Sequence, residues 1–304
     1  MKKLHVTFDG TTDTTGYLFS LAKCLSASLR CSKYCEYADD IIATSGFAFR
    51  MWVDGESLCP SAMSIWEFKK QKTWIENGGL LCAYVERLWG EDAVEEERRI
   101  AAIELIRKSV DCSVAPVAWD ISGCEWGIII GYDDETQILQ TLKISGDEDS
   151  IPYEKLGRLE LPILSVLTVI GTQDKATNCL VSDTKKLALS HLNGEEWCDN
   201  AKGIAAYDAL ITFVKNKLST DTAWNLEYYL GTYAALKWYA WKFFEKYDEQ
   251  ELSVIYKAVY ESWQNAFDCK RSADITDDDN KVQIIEFLET AKNAERQAMN
   301  LMSV

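Results

Sequence analysis

Histidine is nearly missing from this chain of 304 residues: His5 and His191 are the only two. Little imidazole is therefore on hand for proton transfer near neutral pH. A basic surplus is missing too. The formal net charge of −16 argues against nucleic acid and against anionic membranes as partners, because both need a cationic surface that displaces counterions. No stretch reaches the roughly 18 consecutive apolar residues of a membrane span, and residues 1–16 lack the apolar core of a secretory signal. None of the ten cysteines falls in a Cys-x-x-Cys, and Cys31-x-x-x-Cys35 has no second pair to complete a tetrahedral zinc site. The thiols are expected to be reduced and the protein cytoplasmic. Neither Gly-x-Gly-x-x-Gly nor Gly-Lys-Ser/Thr occurs, so no cofactor is expected and nothing supports a doubly wound parallel sheet. Long Ser/Gly/Pro tracts are absent as well, and the whole chain is expected to fold.

What is present points to two domains, because single cores stop growing near ~250–300 residues. Residues 1–175 read as an α+β domain and residues 176–304 as an all-helical one. In the first, 17–33 is a helix apolar on most sides, with Thr14 and Thr15 as N-cap candidates. Residues 37–46 read as a short helix stopped by Gly46. Residues 47–79 are aromatic-rich without a sustained period, which marks a long connecting region. Strands are expected over 80–86, 114–120, 126–132, 138–144 and 163–170, with a helix over 93–109. The acidic runs at 95–97, 147–149 and 277–279 read as solvated helix starts and loops. From 176 onward, helices are predicted near 176–192, 197–218, 222–247, 249–269 and 278–301, with no strand. The aromatics of the third, Tyr228, Tyr229, Tyr233, Trp238, Tyr239, Trp241 and Phe243, read as bundle core.

A buried N-terminal helix, an aromatic middle, a helix and a sheet containing Glu125-Trp126-Gly127-Ile-Ile-Ile-Gly131-Tyr132-Asp133-Asp134 together resemble the papain-like (cysteine peptidase-like) superfamily. The order is most similar to the N-terminal domain of butirosin-biosynthesis acyltransferases and to the peptidases that cut double-glycine leaders. Those families carry His-Trp-Val-Val-Val-Val-Gly-Tyr-Asp on this strand. The resemblance spans roughly residues 10–172, and Gly203-Ile-Ala-Ala-Tyr207 with the aromatic helix after it is similar to the helical second domain of the butirosin type. It implies an N-terminal helix packed on a mainly antiparallel sheet, a nucleophile at the helix start and a histidine on the strand.

Here Glu125 stands where the histidine is expected, so the resemblance implies an enzyme fold without its base. Aligning the helix end at Leu29-Arg30 places Ser20 at the nucleophile position; a shift of one turn places Cys24 there, where a buried core thiol is the plainer reading. Cys59 is the third candidate thiol. Glu125 reads in three ways: a general base, an anchor for a cationic or amide ligand, or the ion-pair partner of an arginine such as Arg50. The cleft is expected where the helix start meets Glu125 and Trp126, with Trp52, Cys59 and Trp66 on its wall. Asp133 is a further lining candidate with a turn role as its alternative. Three functions stay open. One is a pseudoenzyme or binding protein for a small molecule, peptide or carrier-linked acyl group. Another is an acyltransferase, amidohydrolase or peptidase using a Ser or Cys nucleophile. The third is an interaction scaffold that includes a homo-oligomer.

Overall fold

The structure, a computed structural model, describes residues 1–64, 67–272, 274, 275 and 277–303. In chain order it begins β1 (Lys2–Lys3), α1 (Ser20–Arg30), α2 (Ile41–Thr44), β2 (Trp52–Val53), α3 (Lys69–Glu76), β3 (Leu80–Arg87) and α4 (Glu95–Asp111). Next come β4 (Val117–Ala118), β5 (Gly127–Asp133), β6 (Ile138–Leu142), β7 (Glu148–Pro152) and β8 (Leu164–Thr172). The remainder is α5 (Thr177–Leu192), β9 (Ala201–Lys202), α6 (Ala205–Asn216), α7 (Ala223–Lys246), α8 (Gln250–Ser272) and α9 (Asp278–Met302). The chain is thus α+β, an antiparallel sheet with helices followed by an all-helical region. Two compact units divide it: residues 1–12, 20–41 and 67–175 form the first, and residues 13–19, 42–66 and 176–304 the second.

The first unit is built on a sheet ordered β3-β8-β4-β5-β6-β7, with β1 also paired to β5 and every pairing antiparallel. Strands β5 and β8 are mostly apolar because both faces of the sheet are covered, and the buried Ser165 and Thr168 of β8 are hydrogen-bonded to Tyr84 and Ser109. On one face Ala102, Ile106 and Val110 of α4 pack with Ile129, Leu164 and Val166. On the other lies α1, whose Cys24 thiol donates to the Trp126 carbonyl at 3.6 Å and whose Ser28 hydroxyl donates to the Ala115 carbonyl at 2.5 Å. Strands β1 and β4 share one side of β5, Lys2 facing Tyr132 and Val117 facing Ile128. A Cβ on Gly131 would lie 2.5 Å from the Lys2 carbonyl oxygen, so β1 reaches β5 only because residue 131 has no side chain.

Three expectations are corrected here. The acidic run 147–149 is not a loop: Glu148 and Asp149 start the edge strand β7, and an edge tolerates charge that an interior strand would not. The first helix begins at Ser20 rather than 17. Asp13, not Thr14 or Thr15, collects the preceding backbone, its carboxylate accepting from the amides of Gly16 and Leu18.

In the second unit the expected helix 197–218 shortens to α6, because Ala201 and Lys202 form β9 against Val53 and Trp52. Two tyrosines one turn apart on α7 hold the same segment. Tyr233 donates its hydroxyl to the Trp52 carbonyl at 2.7 Å and accepts from the Trp52 amide at 2.9 Å. Tyr229 donates to the Cys59 carbonyl and accepts from the Asp54 amide. These rings are buried, as a bundle core requires, yet their hydroxyls act as backbone partners for an irregular segment that would otherwise bury unpaired amides. Deeper in the helices Lys237 of α7 and Glu295 of α9 form an ion pair at 2.6 Å, both side chains fully buried. Tyr207 of α6 donates to the other Glu295 oxygen at 2.8 Å, and the Trp263 indole of α8 donates to Tyr207 at 2.8 Å. Helices α6 and α7 therefore meet on a carboxylate of α9, with α8 joined to it through Tyr207.

Candidate functional site

Ser20 is the first residue of α1 and is buried. Its hydroxyl donates to the carboxylate of the half-buried Glu125, just before β5. The turn carrying Glu125 is fixed by Asp120, whose two carboxylate oxygens accept from the amides of Cys124 at 2.7 Å and Leu161 at 3.0 Å. Asp120 and Cys124 both sit in the left-handed region, with φ of 61° and 57°. Such backbone persists only where its surroundings over-determine it, and it concentrates at functional turns. Nothing in the sequence marked Asp120, since an Asp after a Trp in a turn has no distinguishing pattern.

The structure separates the other candidates by chemistry. Cys24, one turn after Ser20, has no exposure. Burial pushes its thiol well above the ordinary range, with Glu125 adding to the rise. A thiolate does not form there near neutral pH, so Cys24 is a core residue. Trp126 is fully buried rather than on a cleft edge, packed 5.6 Å from the Phe68 ring and 5.3 Å from that of Trp119. Asp133 ends β5 and accepts from the Glu135 amide at 3.1 Å, the turn role. Cys124, beside Glu125, has its thiol raised to about 11 by burial and by Asp120.

Trp52 and Cys59 belong to the second unit, and Trp66 lies outside the described residues. Trp52 is buried with the Arg50 guanidinium 3.7 Å over its ring. Cys59 is half-exposed, its sulfur 2.9 Å from the Ser61 hydroxyl. Arg50, named as one ion-pair candidate for Glu125, also belongs to the second unit. It is buried, its Nε donates to Glu196 at 2.9 Å, and its terminal nitrogens donate to the carbonyls of Met63 and Ser64. Glu196 also holds Nδ1 of His191. The only buried histidine thus serves a charge cluster of the second unit, and His5 is exposed near the start of the chain.

Among the described residues no three His, Cys, Asp or Glu side chains are grouped to hold a metal ion, and no helix is long and apolar enough to cross a membrane. What the first unit does assemble is a serine at a helix N-terminus, where the aligned amides carry partial positive charge, bonded to a carboxylate on a rigid turn. A carboxylate is a weak base toward an alcohol, and catalytic serines are ordinarily served by imidazole or amine. The pair is a donor–acceptor couple between a helix start and a turn. Compared with known proteins, the chain matches no family model and no curated protein sequence.

Proposed function

We propose that the first unit is a papain-like domain that has exchanged its acyl-transfer pair for Ser20 and Glu125 and works as a binding module, a pseudoenzyme that holds a small molecule, peptide or acyl group without cleaving it. The observation that supports this is the Ser20–Glu125 hydrogen bond: it joins the helix start and the pre-strand position, the two places where the resemblance puts nucleophile and base, with groups that bind protons in place instead of moving them. The sealed Cys24 thiol supports the same reading, because the thiol nearest the helix start is not available as a nucleophile.

The second reading, an acyltransferase or hydrolase with Ser20 as nucleophile, is favoured by that same bond, since a serine hydroxyl pointed at a carboxylate is the first half of general-base activation. A fluorophosphonate probe separates the two. The binding reading expects no labelling above a Ser20→Ala control at neutral pH; stoichiometric, Glu125-dependent labelling would establish the enzyme. The binding reading further expects Glu125→Gln to alter the thermal-shift response to a panel of N-acyl peptides and acyl thioesters at least several-fold while moving the unliganded melting temperature by no more than about 2–4 °C, the equivalent of ~1 kcal/mol. A fall equivalent to ~3–5 kcal/mol would place Glu125 in a buried structural pair and end the reading.

A further inference from the structure

Buried amide and indole groups almost always have a hydrogen-bond partner, and each exception calls for a reason. Gln71 on α3 has no exposure, and among the described residues neither its amide oxygen nor its amide nitrogen has a partner. The indole Nε1 groups of Trp126, fully buried, and Trp119, 4% exposed, are in the same condition. The two indole rings lie together, their centroids 5.3 Å apart. The Phe68 ring lies 5.6 Å from that of Trp126 and 5.9 Å from that of Trp119. Phe68 has helical dihedrals at the start of α3, and Gln71 follows it by three residues, which places the two on one helix face. The cluster also adjoins the Ser20–Glu125 couple: Trp126 follows Glu125, and its carbonyl holds Cys24, one turn from Ser20.

The unmet groups define a complement. Two indole N–H donors and an amide NH2 call for an acceptor oxygen, while the Gln71 oxygen calls for a donor. A carboxylate would satisfy the donors, leave the Gln71 oxygen unmet and bring a second negative charge toward Glu125. An ester offers no N–H. An amide offers both a C=O and an N–H. We propose that Phe68, Gln71, Trp119 and Trp126 form an aromatic-walled hydrogen-bonding site for the amide group of a ligand, either a carboxamide or a peptide bond. The inference rests on the reading of the first unit as a binding module and names the ligand class of that module. Because the three rings close on one another, the ligand enters only when they part, and its arrival is reported by the two indoles.

The test uses the full chain with acetamide and N-methylacetamide as probes, methyl acetate and sodium acetate as controls, and indole fluorescence and thermal shift as readouts. The expected result is a saturable response to the amides and none to the ester or the carboxylate. Trp126→Phe, which keeps a ring and removes the donor, is expected to weaken amide binding roughly three- to ten-fold, the value of one hydrogen bond. Gln71→Met is expected to abolish the amide preference and to raise the unliganded melting temperature by about 2–4 °C, since it removes unmet polar atoms from the interior. Three results would overturn the proposal. One is a response linear in every additive, the behaviour of a cluster that holds buried water only. Another is an equal response to amide and ester. The third is a melting temperature lowered by Gln71→Met with amide binding intact, which makes the side chain structural. If these variants are silent while Glu125→Gln still alters the response to acyl ligands, this inference fails and the binding reading stands.

Discussion

Lys237→Met is expected to destabilise the protein by about 3–5 kcal/mol, the cost of leaving one member of a buried ion pair without its counter-charge. The Glu295 carboxylate would keep only neutral donors around it, Tyr207 above all, in a site with no exposure. Burial already pushes the Lys237 ammonium below its ordinary range, and Glu295 pulls it part of the way back. The pair is therefore mutually dependent and gives little net stability. The double variant Lys237→Met/Glu295→Leu is accordingly expected to recover to within about 1–3 kcal/mol of the native chain: apolar replacements of similar volume avoid both desolvation penalties, and the remaining loss is the Tyr207 hydroxyl left without its acceptor. Urea unfolding of the three variants checks this. Single variants within ~1 kcal/mol of native would show that the charges are not sealed from water.

Acid is expected to weaken the second unit through His191 and Glu196, and Glu196→Gln to remove much of that dependence. Burial drives the His191 imidazole below its ordinary 6.5 despite the Glu196 contact. Below that pH the unfolded chain takes up a proton the folded ring resists, and stability falls. Burial alone would push the Glu196 carboxyl up, but Arg50 and His191 outweigh it and hold the carboxyl at about 2, against an ordinary 4.5. A depressed carboxylate stabilises fully above its unfolded pKa and loses that contribution as the pH falls toward the folded one, here roughly 3 kcal/mol between pH 4.5 and 2. At pH 7, Glu196→Gln is expected to cost about 3–5 kcal/mol, because the buried Arg50 loses the carboxylate it faces. Unfolding free energies measured from pH 7 to pH 2.5 test both statements. An unchanged slope below pH 4.5 in Glu196→Gln would assign the acid loss to other carboxylates.

Much of the fold was legible because burial leaves a pattern. Strands β5 and β8 carry Ile128-Ile-Ile130 and a mostly Ile/Val/Leu run, and α7 to α9 lie within a few residues of where their periodicity puts them. Ser20 and Glu125 were both candidates through the resemblance, which left Cys24 open beside Ser20; the hydrogen bond joins Ser20 to Glu125. What the sequence hid has physical causes. Strands β1 and β9 are two residues long and exist through their partners, and β7 is an acidic edge with little β propensity. Trp126 looked like a cleft residue from its neighbour, but only Glu125, in the turn before β5, is half-buried, while Trp126 is sealed against Phe68 and Trp119. The ties of residues 52–59 run through tyrosine hydroxyls to backbone atoms, and such bonds impose no period on either segment. Lys237 and Glu295, 58 positions apart, look in a pattern like two more charges on helix surfaces.

The route of the chain between its units bears on how it is made. Residues 13–19 and 42–66 belong with the helices that begin at 176, and the Trp52 backbone finds its tyrosine 181 residues downstream. At synthesis rates of about 5–20 residues per second, that partner leaves the ribosome roughly 10–40 s after Trp52 does. Throughout that interval Phe47, Phe49, Met51 and Trp52, all buried in the finished protein, are displayed on the nascent chain before the α7 and α8 rings that pack on Phe49 have been made.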